Sequence, residues 1–256
     1  MSGVVMKVNF KFNKKTLFAI LIFILVWALI FAFYFYKENQ EKYENAEKYK
    51  EFVEVTEPVT EDEEPKYFVD FEALQSGNPD IYAWLDIPDT TISYPMLRSE
   101  EEDFYLVHNA DKQKSKYGAI YTQSYNTATF DDFNTIIYGH NTRNGSMFGS
   151  LRKFREKEFY DSHRTINIYT PTQKLTYKVF AVYNNDDTHI LFSNDFSDMA
   201  VRRKYIADIQ SGKKGANVDR EIKITEHDKI ITLSTCTTPR TKRLLVQAVL
   251  IDIENY

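Results

Sequence analysis

With one cysteine among 256 residues, the chain has no partner for an intramolecular disulfide, so its fold must rest on a packed core. A sequence that is 43% hydrophobic and 15% aromatic can supply one. The five histidines, His108, His140, His163, His189 and His227, have no spacing that would make a structural zinc site with the single thiol. No metal and no cofactor is therefore expected. A basic face is also missing: the formal charge is −5, which excludes the electrostatic footprint of a nucleic-acid binder. No internal repeat is evident, and from Leu17 to Tyr36 there is no charge at all.

That uncharged run of 20 residues, dominated by Ile, Leu, Phe, Val and Ala, spans as a helix roughly 30 Å, the thickness of a bilayer hydrocarbon core. It ends in Phe33-Tyr34-Phe35-Tyr36, not in the small residues of a signal-peptide cleavage site, so an uncleaved anchor is expected. Lys7, Lys11, Lys14 and Lys15 precede it and a net acidic flank follows. The positive-inside rule then leaves the N-terminus in the cytoplasm and everything beyond residue 37 outside. The expected organisation is a basic cytoplasmic tail (1–16), a transmembrane helix (17–36), a charged stalk (37–66) and one globular domain (67–256). The stalk reading rests on five lysines against eleven acids in 37–66, the end of the stretch being too acidic and Pro-containing to pack.

From Tyr67 the pattern turns globular. A short amphipathic helix carrying Phe68, Phe71 and Leu74 is broken at Gly77-Asn78-Pro79. Strand-like runs follow at 82–87, 91–96, 117–122, 134–138, 165–169, 175–183, 221–224, 230–236 and 244–253. Helical spacing recurs only at Met147, Leu151 and Phe154, and at Met199, Ile206 and Ile209 between Ser193 and Gly212. Many short strands with few helices indicate an antiparallel barrel or sandwich.

The cysteine closes one of these runs. If 230–236 is a strand, Ile231 and Leu233 point one way while Thr232, Ser234 and Cys236 point the other, placing the thiol on the polar face. A lone cysteine is otherwise a small buried hydrophobe. Here Arg240, Lys242 and Arg243 follow it, and cations lower a thiol pKa and raise the fraction of nucleophilic thiolate. In the last run Leu244, Val246, Ala248 and Leu250 share one face, which puts Arg243 on the opposite one. Arg240 follows Pro239 inside the turn and is the weaker candidate cation. Among the histidines, His140 stands out because it ends a buried-strand run, with Gly139 before it permitting a close or irregular backbone.

Thr232-Leu233-Ser234-Thr235-Cys236 with Arg243 seven residues on, and Tyr138-Gly139-His140-Asn141 about a hundred residues upstream, resemble the sortase signature. The longer run 138–151, the Trp84–Asp89 run, Ile92–Met96 and the helix before the cysteine strand are similar to class B sortases in particular. The resemblance implies an eight-stranded sortase-type antiparallel β-barrel, mostly β with a few helices, preceded by one transmembrane helix. It implies a membrane-anchored cysteine transpeptidase in a Gram-positive-type envelope. Cys236 would attack a C-terminal sorting signal, LPXTG- or NPXTN-like, after its Thr to give a thioacyl enzyme. His140 would serve as general acid and then base, and Arg243 would hold the substrate backbone and oxyanion. Ser234 would be a groove contact. The implied partners are surface proteins bearing the signal, a peptidoglycan or lipid-linked precursor amine, and the membrane. Within the family a pilin-polymerising or housekeeping sortase is the nearest rival. Outside it stand a papain-like hydrolase, disfavoured because His precedes Cys here, and a non-enzymatic β-barrel adhesin or binding module.

Overall fold

A computed structural model of the chain describes residues 13–46, 48–56, 66–212, 217–237 and 241–256. The chain divides into two compact units, Met1–Glu41 and Lys42–Tyr256. In the first, the apolar run lies within a single helix, α1 (Lys14–Ala46), whose segment Lys14–Glu38 is long and apolar enough to cross a membrane. Lys7 and Lys11 of the expected basic tail lie outside the described residues.

The second unit begins earlier than the sequence pattern indicates. A 3-10 turn at Lys48–Phe52 leads into β1 (Val53–Thr56), which pairs antiparallel with β2 (Lys66–Val69). Tyr49 is buried, and both its hydroxyl and the Lys48 ammonium reach Asp111 at 2.7 Å. The expected stalk therefore gives up residues 48–56 to the folded domain. A charge-rich stretch hides this because only Tyr49, Phe52 and Val53 in it face the core. The acidic end at 57–65 lies outside the described residues.

Next come α2 (Phe71–Gly77), β3 (Ile81–Asp86), β4 (Ser93–Arg98), β5 (Ile120–Thr122) and β6 (Asn134–Tyr138). They are followed by α3 (Lys157–Ser162), β7 (Thr165–Tyr169), β8 (Gln173–Asn185), α4 (Ile190–Ser193), α5 (Met199–Gln210), β9 (Asn217–Val218), β10 (Ile230–Cys236) and β11 (Arg243–Asn255). Three readings shift. Tyr67 to Val69 is strand, so the first helix begins at Phe71, capped by the Asp70 carboxylate on Ala73 N. Residues 221–224 are not a strand, and the short β9 upstream takes that edge. The helical spacing at 147–154 is realised as a 3-10 turn, Gly149–Arg155.

The strands run in the order β11-β10-β6-β5-β4-β3-β7-β8, and β11 also pairs with β8, so the sheet closes into an eight-stranded barrel with β9 appended to β8. Closure removes the exposed edges that an open sheet would leave. The expected eight-stranded antiparallel barrel is found with two seams corrected: β4 with β5 and β10 with β6 are parallel. A parallel pair needs a long crossover. The chain between β6 and β10 supplies one by running through three strands and the helices α3 to α5.

Inward side chains such as Leu85, Ile137, Val179, Leu233 and Val246 fill the barrel. Outside it, α4 and α5 lay Ile190, Tyr205, Ile206 and Ile209 over Phe180, Leu245 and Val249. The outward face of β10, and of β11 as far as Val249, is thus covered, not wet. Its polar residues form a buried network: the Gln247 amide donates to Tyr205 Oη at 2.8 Å and Thr232 Oγ1 at 2.9 Å, Thr232 Oγ1 donates to Asn134 Oδ1 at 2.8 Å, and Tyr183 Oη donates to Gln247 Oε1 at 3.2 Å. Burial of these groups is tolerated because each finds a partner.

Candidate active site

β10 lies between β6 and β11, and this placement assembles the site. On one side the antiparallel register sets Cys236 opposite Arg243. Arg243 Nη1 donates to Cys236 Sγ at 3.3 Å, and Nε donates to Asp187 Oδ1 at 2.7 Å. On the other side the parallel register ends with Ser234 beside Tyr138, and Gly139 N donates to Ser234 O at 3.2 Å. Two residues beyond that pair, β6 leads into His140 and β10 ends at Cys236. Asn141 Nδ2 then donates to the Cys236 carbonyl at 2.7 Å, tying the two strand tips together.

Gly139 is required for this approach. A Cβ there would come within 2.6 Å of Ile120 Cδ1 and 2.7 Å of Phe148 Cδ2, both in the barrel core. Phe148 N in turn donates to the His140 carbonyl at 3.0 Å. His140 is thereby gripped on its backbone, and its Nε2 lies 2.7 Å from the Leu106 carbonyl. A carbonyl only accepts, so Nε2 carries the proton and Nδ1 is left for other chemistry. No hydrogen bond joins His140 to the thiol among the described residues.

The charge balance favours a permanent cation beside the sulfur. Burial alone would lower the Arg243 pKa, but the hydrogen bond it donates to Asp187 and the attraction of Cys236 and Asp187 outweigh it and hold the guanidinium above its ordinary value. His189 is shifted the other way, by burial first and by the Arg243 charge in addition, against the opposing pull of Glu102 and Asp103. Its Nδ1 accepts from Phe192 N at the start of α4 and its Nε2 faces Gln123 Oε1 at 3.2 Å, the bonding of a neutral ring.

The four sequence candidates thus converge on one end of the barrel. Cys236 and Arg243 touch, His140 lies on the neighbouring strand tip, and Ser234, buried on the thiol's side of β10, lines with Tyr138, Asp187, His189 and Arg243 a cavity of about 60 Å³. Larger hollows of about 220 and 480 Å³ lie against α5 and α4, away from the sulfur. Arg240, the weaker candidate cation, lies outside the described residues. Sequence spacing missed Asp187, which meets Arg243 across 56 residues, and the Leu106 carbonyl, which as backbone leaves no residue-type signal. Asn141 stood in the quoted motif without a role, and the lone-cysteine context gave no hint that its amide would hold the cysteine's carbonyl.

Residues 85–251 match the sequence model of the sortase domain. The chain belongs to the sortase family. This sortase is 38% identical over 167 residues to Sortase B of Listeria monocytogenes serovar 1/2a, covering 65% of this chain and 67% of that protein. It is 27% identical over 186 residues to Sortase B of Staphylococcus aureus, covering 72% of this chain and 75% of that one. A crystal structure of sortase B from B. anthracis aligns with a TM-score of 0.70 at 32% identity, covering 86% of this chain and 99% of that one. Like its relatives, this sortase is a mostly β, closed eight-stranded barrel, and the family makes it a cysteine transpeptidase.

Proposed function

We propose that this sortase is a membrane-anchored class B enzyme that joins surface proteins to a cell-wall amine, with Cys236, His140 and Arg243 as its catalytic groups. The contact that carries the reading is Arg243 Nη1 on Cys236 Sγ, held in strand register, with His140 delivered by the strand on the other side. Cys236 Sγ, as thiolate, adds to the carbonyl after the Thr of an LPXTG- or NPXTN-like sorting signal. Arg243, always charged and presenting a planar fork, holds the developing oxyanion. His140 protonates the departing amine as the C–N bond breaks, leaving a thioester on Cys236. It then takes a proton from the incoming amine of peptidoglycan or a lipid-linked precursor, which attacks the thioester, forms the new amide and returns the thiolate. Ser234 contributes to the wall of the substrate groove.

The helix α1 supports the membrane part of the reading. Its Lys14–Glu38 segment presents uncovered apolar side chains along its whole length, and the lysines before it favour a cytoplasmic N-terminus and an external catalytic domain. Donor and acceptor would then both meet the enzyme at the outer membrane face.

The test uses the full chain in detergent micelles, incubated with a panel of quenched sorting-signal peptides, with and without an amine acceptor, and followed by intact-mass spectrometry. The expected result is a thioacyl adduct on Cys236 that disappears on addition of the amine, with the preferred peptide identified by adduct yield. A folded protein whose thiol is alkylated normally yet acylated by no peptide would favour the non-enzymatic binding module over the proposed reading.

A further inference from the structure

We infer that Asp187 is a positioning residue for transpeptidation, its carboxylate fixing the Arg243 guanidinium through Nε so that the Nη edge faces the Cys236 thiol and the carbonyl it attacks. This inference rests on the proposed role of Arg243 and extends it to a residue outside the cysteine, histidine and arginine trio.

An arginine at the mouth of a strand does not orient itself. Its side chain carries about 2 kcal/mol of rotamer entropy, and Arg243 is half-buried, so packing alone leaves the fork free to turn. Two contacts fix it among the described residues, Asp187 at Nε and the thiol at Nη1. The thiol contact cannot do the fixing, because during the reaction the sulfur becomes bonded to carbon. Only Asp187 then remains on the guanidinium while substrate occupies the site.

The backbone delivers Asp187 to this task. β8 and β11 pair with Asn185 opposite Arg243, so a residue two positions beyond Asn185 stands over the guanidinium by register. The segment carrying it is braced. Thr188 N donates to Asp186 Oδ1 at 3.1 Å, and His189 caps α4 through Phe192 N while its other nitrogen meets Gln123. Stability gives no reason for the pair, since an exposed ion pair contributes on the order of 0 to 1 kcal/mol and the Asp187 side chain is 61% exposed. Asp187 also lines the same small cavity as Ser234 and Arg243.

The carboxylate has a second, opposing effect. Its negative charge offsets the guanidinium, whose field reaches Tyr121, Tyr138 and His189 as well as the thiol. An amide at 187 keeps an oxygen for Nε and removes the charge; alanine removes both. The geometric and electrostatic contributions therefore separate.

The experiment compares Asp187→Ala, Asp187→Asn, Arg243→Ala and the Asp187→Ala/Arg243→Ala double variant as full chains in detergent, measuring kcat, KM, thermal unfolding and the pH profile of Cys236 alkylation. For Asp187→Ala, kcat should fall about 10- to 100-fold, the penalty of a misplaced transition-state group, with KM within about threefold and unfolding unchanged. Asp187→Asn should recover most of kcat while its alkylation profile moves to lower pH. The double variant should be no slower than Arg243→Ala alone, because Asp187 acts through the guanidinium. Wild-type kcat in Asp187→Ala beside a disabled Arg243→Ala would overturn the role of Asp187 and leave that of Arg243 standing. Losses that multiply in the double variant would likewise refute action through Arg243. Undiminished turnover in Arg243→Ala would remove the reading on which the inference stands.

Discussion

Substituting Gly139 by Ala tests whether the barrel positions the histidine. The added Cβ would sit 2.6 Å from Ile120 Cδ1 and 2.7 Å from Phe148 Cδ2, where ordinary contacts begin near 3.4 Å. Both neighbours are fully buried side chains of the barrel core, and the hollow beside Ile120 is only about 10 Å³, so they have little room to retreat. Overpacking of this kind costs about 1 to 3 kcal/mol, and a loss near 2 kcal/mol lowers Tm by roughly 4 to 8 °C in a domain of this size. The backbone is the softer element, so part of the strain is relieved by moving the tip of β6 outward. That motion strains the Gly139 N bond to Ser234 O and, through Phe148 N, the bond to the His140 carbonyl. At the acid–base role proposed for His140, a shift approaching 1 Å costs on the order of 100-fold in rate. The assay is kcat for amine-dependent peptide turnover beside calorimetric Tm, in Gly139→Ala and in Gly139→Ala/Ile120→Val. The second change deletes the very Cδ1 carbon that is struck, so it should restore part of the Tm and part of the rate. Full turnover with an unshifted Tm in Gly139→Ala alone would show that the strand tip tolerates the methyl and that the close approach does not position His140.

Three other outcomes follow from particular side chains. Burial pushes the Asp86 carboxyl up to about 6, with a hydrogen bond from Ser93 opposing and the Asp89 charge reinforcing it. The folded protein therefore holds this proton at pH values where the unfolded chain has released it, and stability falls as pH rises from about 4 to about 6, by up to roughly 3 kcal/mol for a shift near two units. Asp86→Asn should flatten that slope in denaturant titrations and raise stability at pH 7, and an unchanged pH dependence would count against a buried, charge-averse carboxyl. Gln247→Leu should destabilise by about 2 kcal/mol, because the buried Tyr183, Tyr205 and Thr232 hydroxyls lose a shared partner; an equal or higher Tm would mean that the network is replaceable by apolar packing. Arg243→Lys keeps a cation and loses the fork, so kcat should fall about 100- to 1,000-fold with unfolding unchanged, and near-normal turnover would remove Arg243 from the oxyanion.

What could be read in the sequence, and what could not, follows the range of the forces involved. Strand alternation is local, and it placed Leu233 and Val246 on the core face and Cys236 and Arg243 at facing strand ends, as found. The same alternation marked Thr232 and Ser234 as a polar face, yet both are buried. Periodicity reports a change of environment across the strand, and it cannot tell water from a covering layer of polar partners such as Asn134, Tyr205 and Gln247. The parallel seams were invisible for a related reason. A strand's own residues carry no mark of its neighbour's direction when both faces are covered, and β4 and β6 are buried along nearly their whole length. Tyr49 was lost among charges because one buried ring in a solvated segment has no period at all. At the site, the thiol, the imidazole and the guanidinium announced themselves by residue type at strand tips. Asp187 did not, since the second of two carboxylates in Asn184-Asn185-Asp186-Asp187-Thr188 looks like turn chemistry until the β8–β11 register is known. The groups proposed to react were therefore legible as candidates in the sequence, and the group proposed to orient one of them was not. Reactivity is a property of the side chain, whereas positioning is a property of the strand pairing that brings two distant segments together.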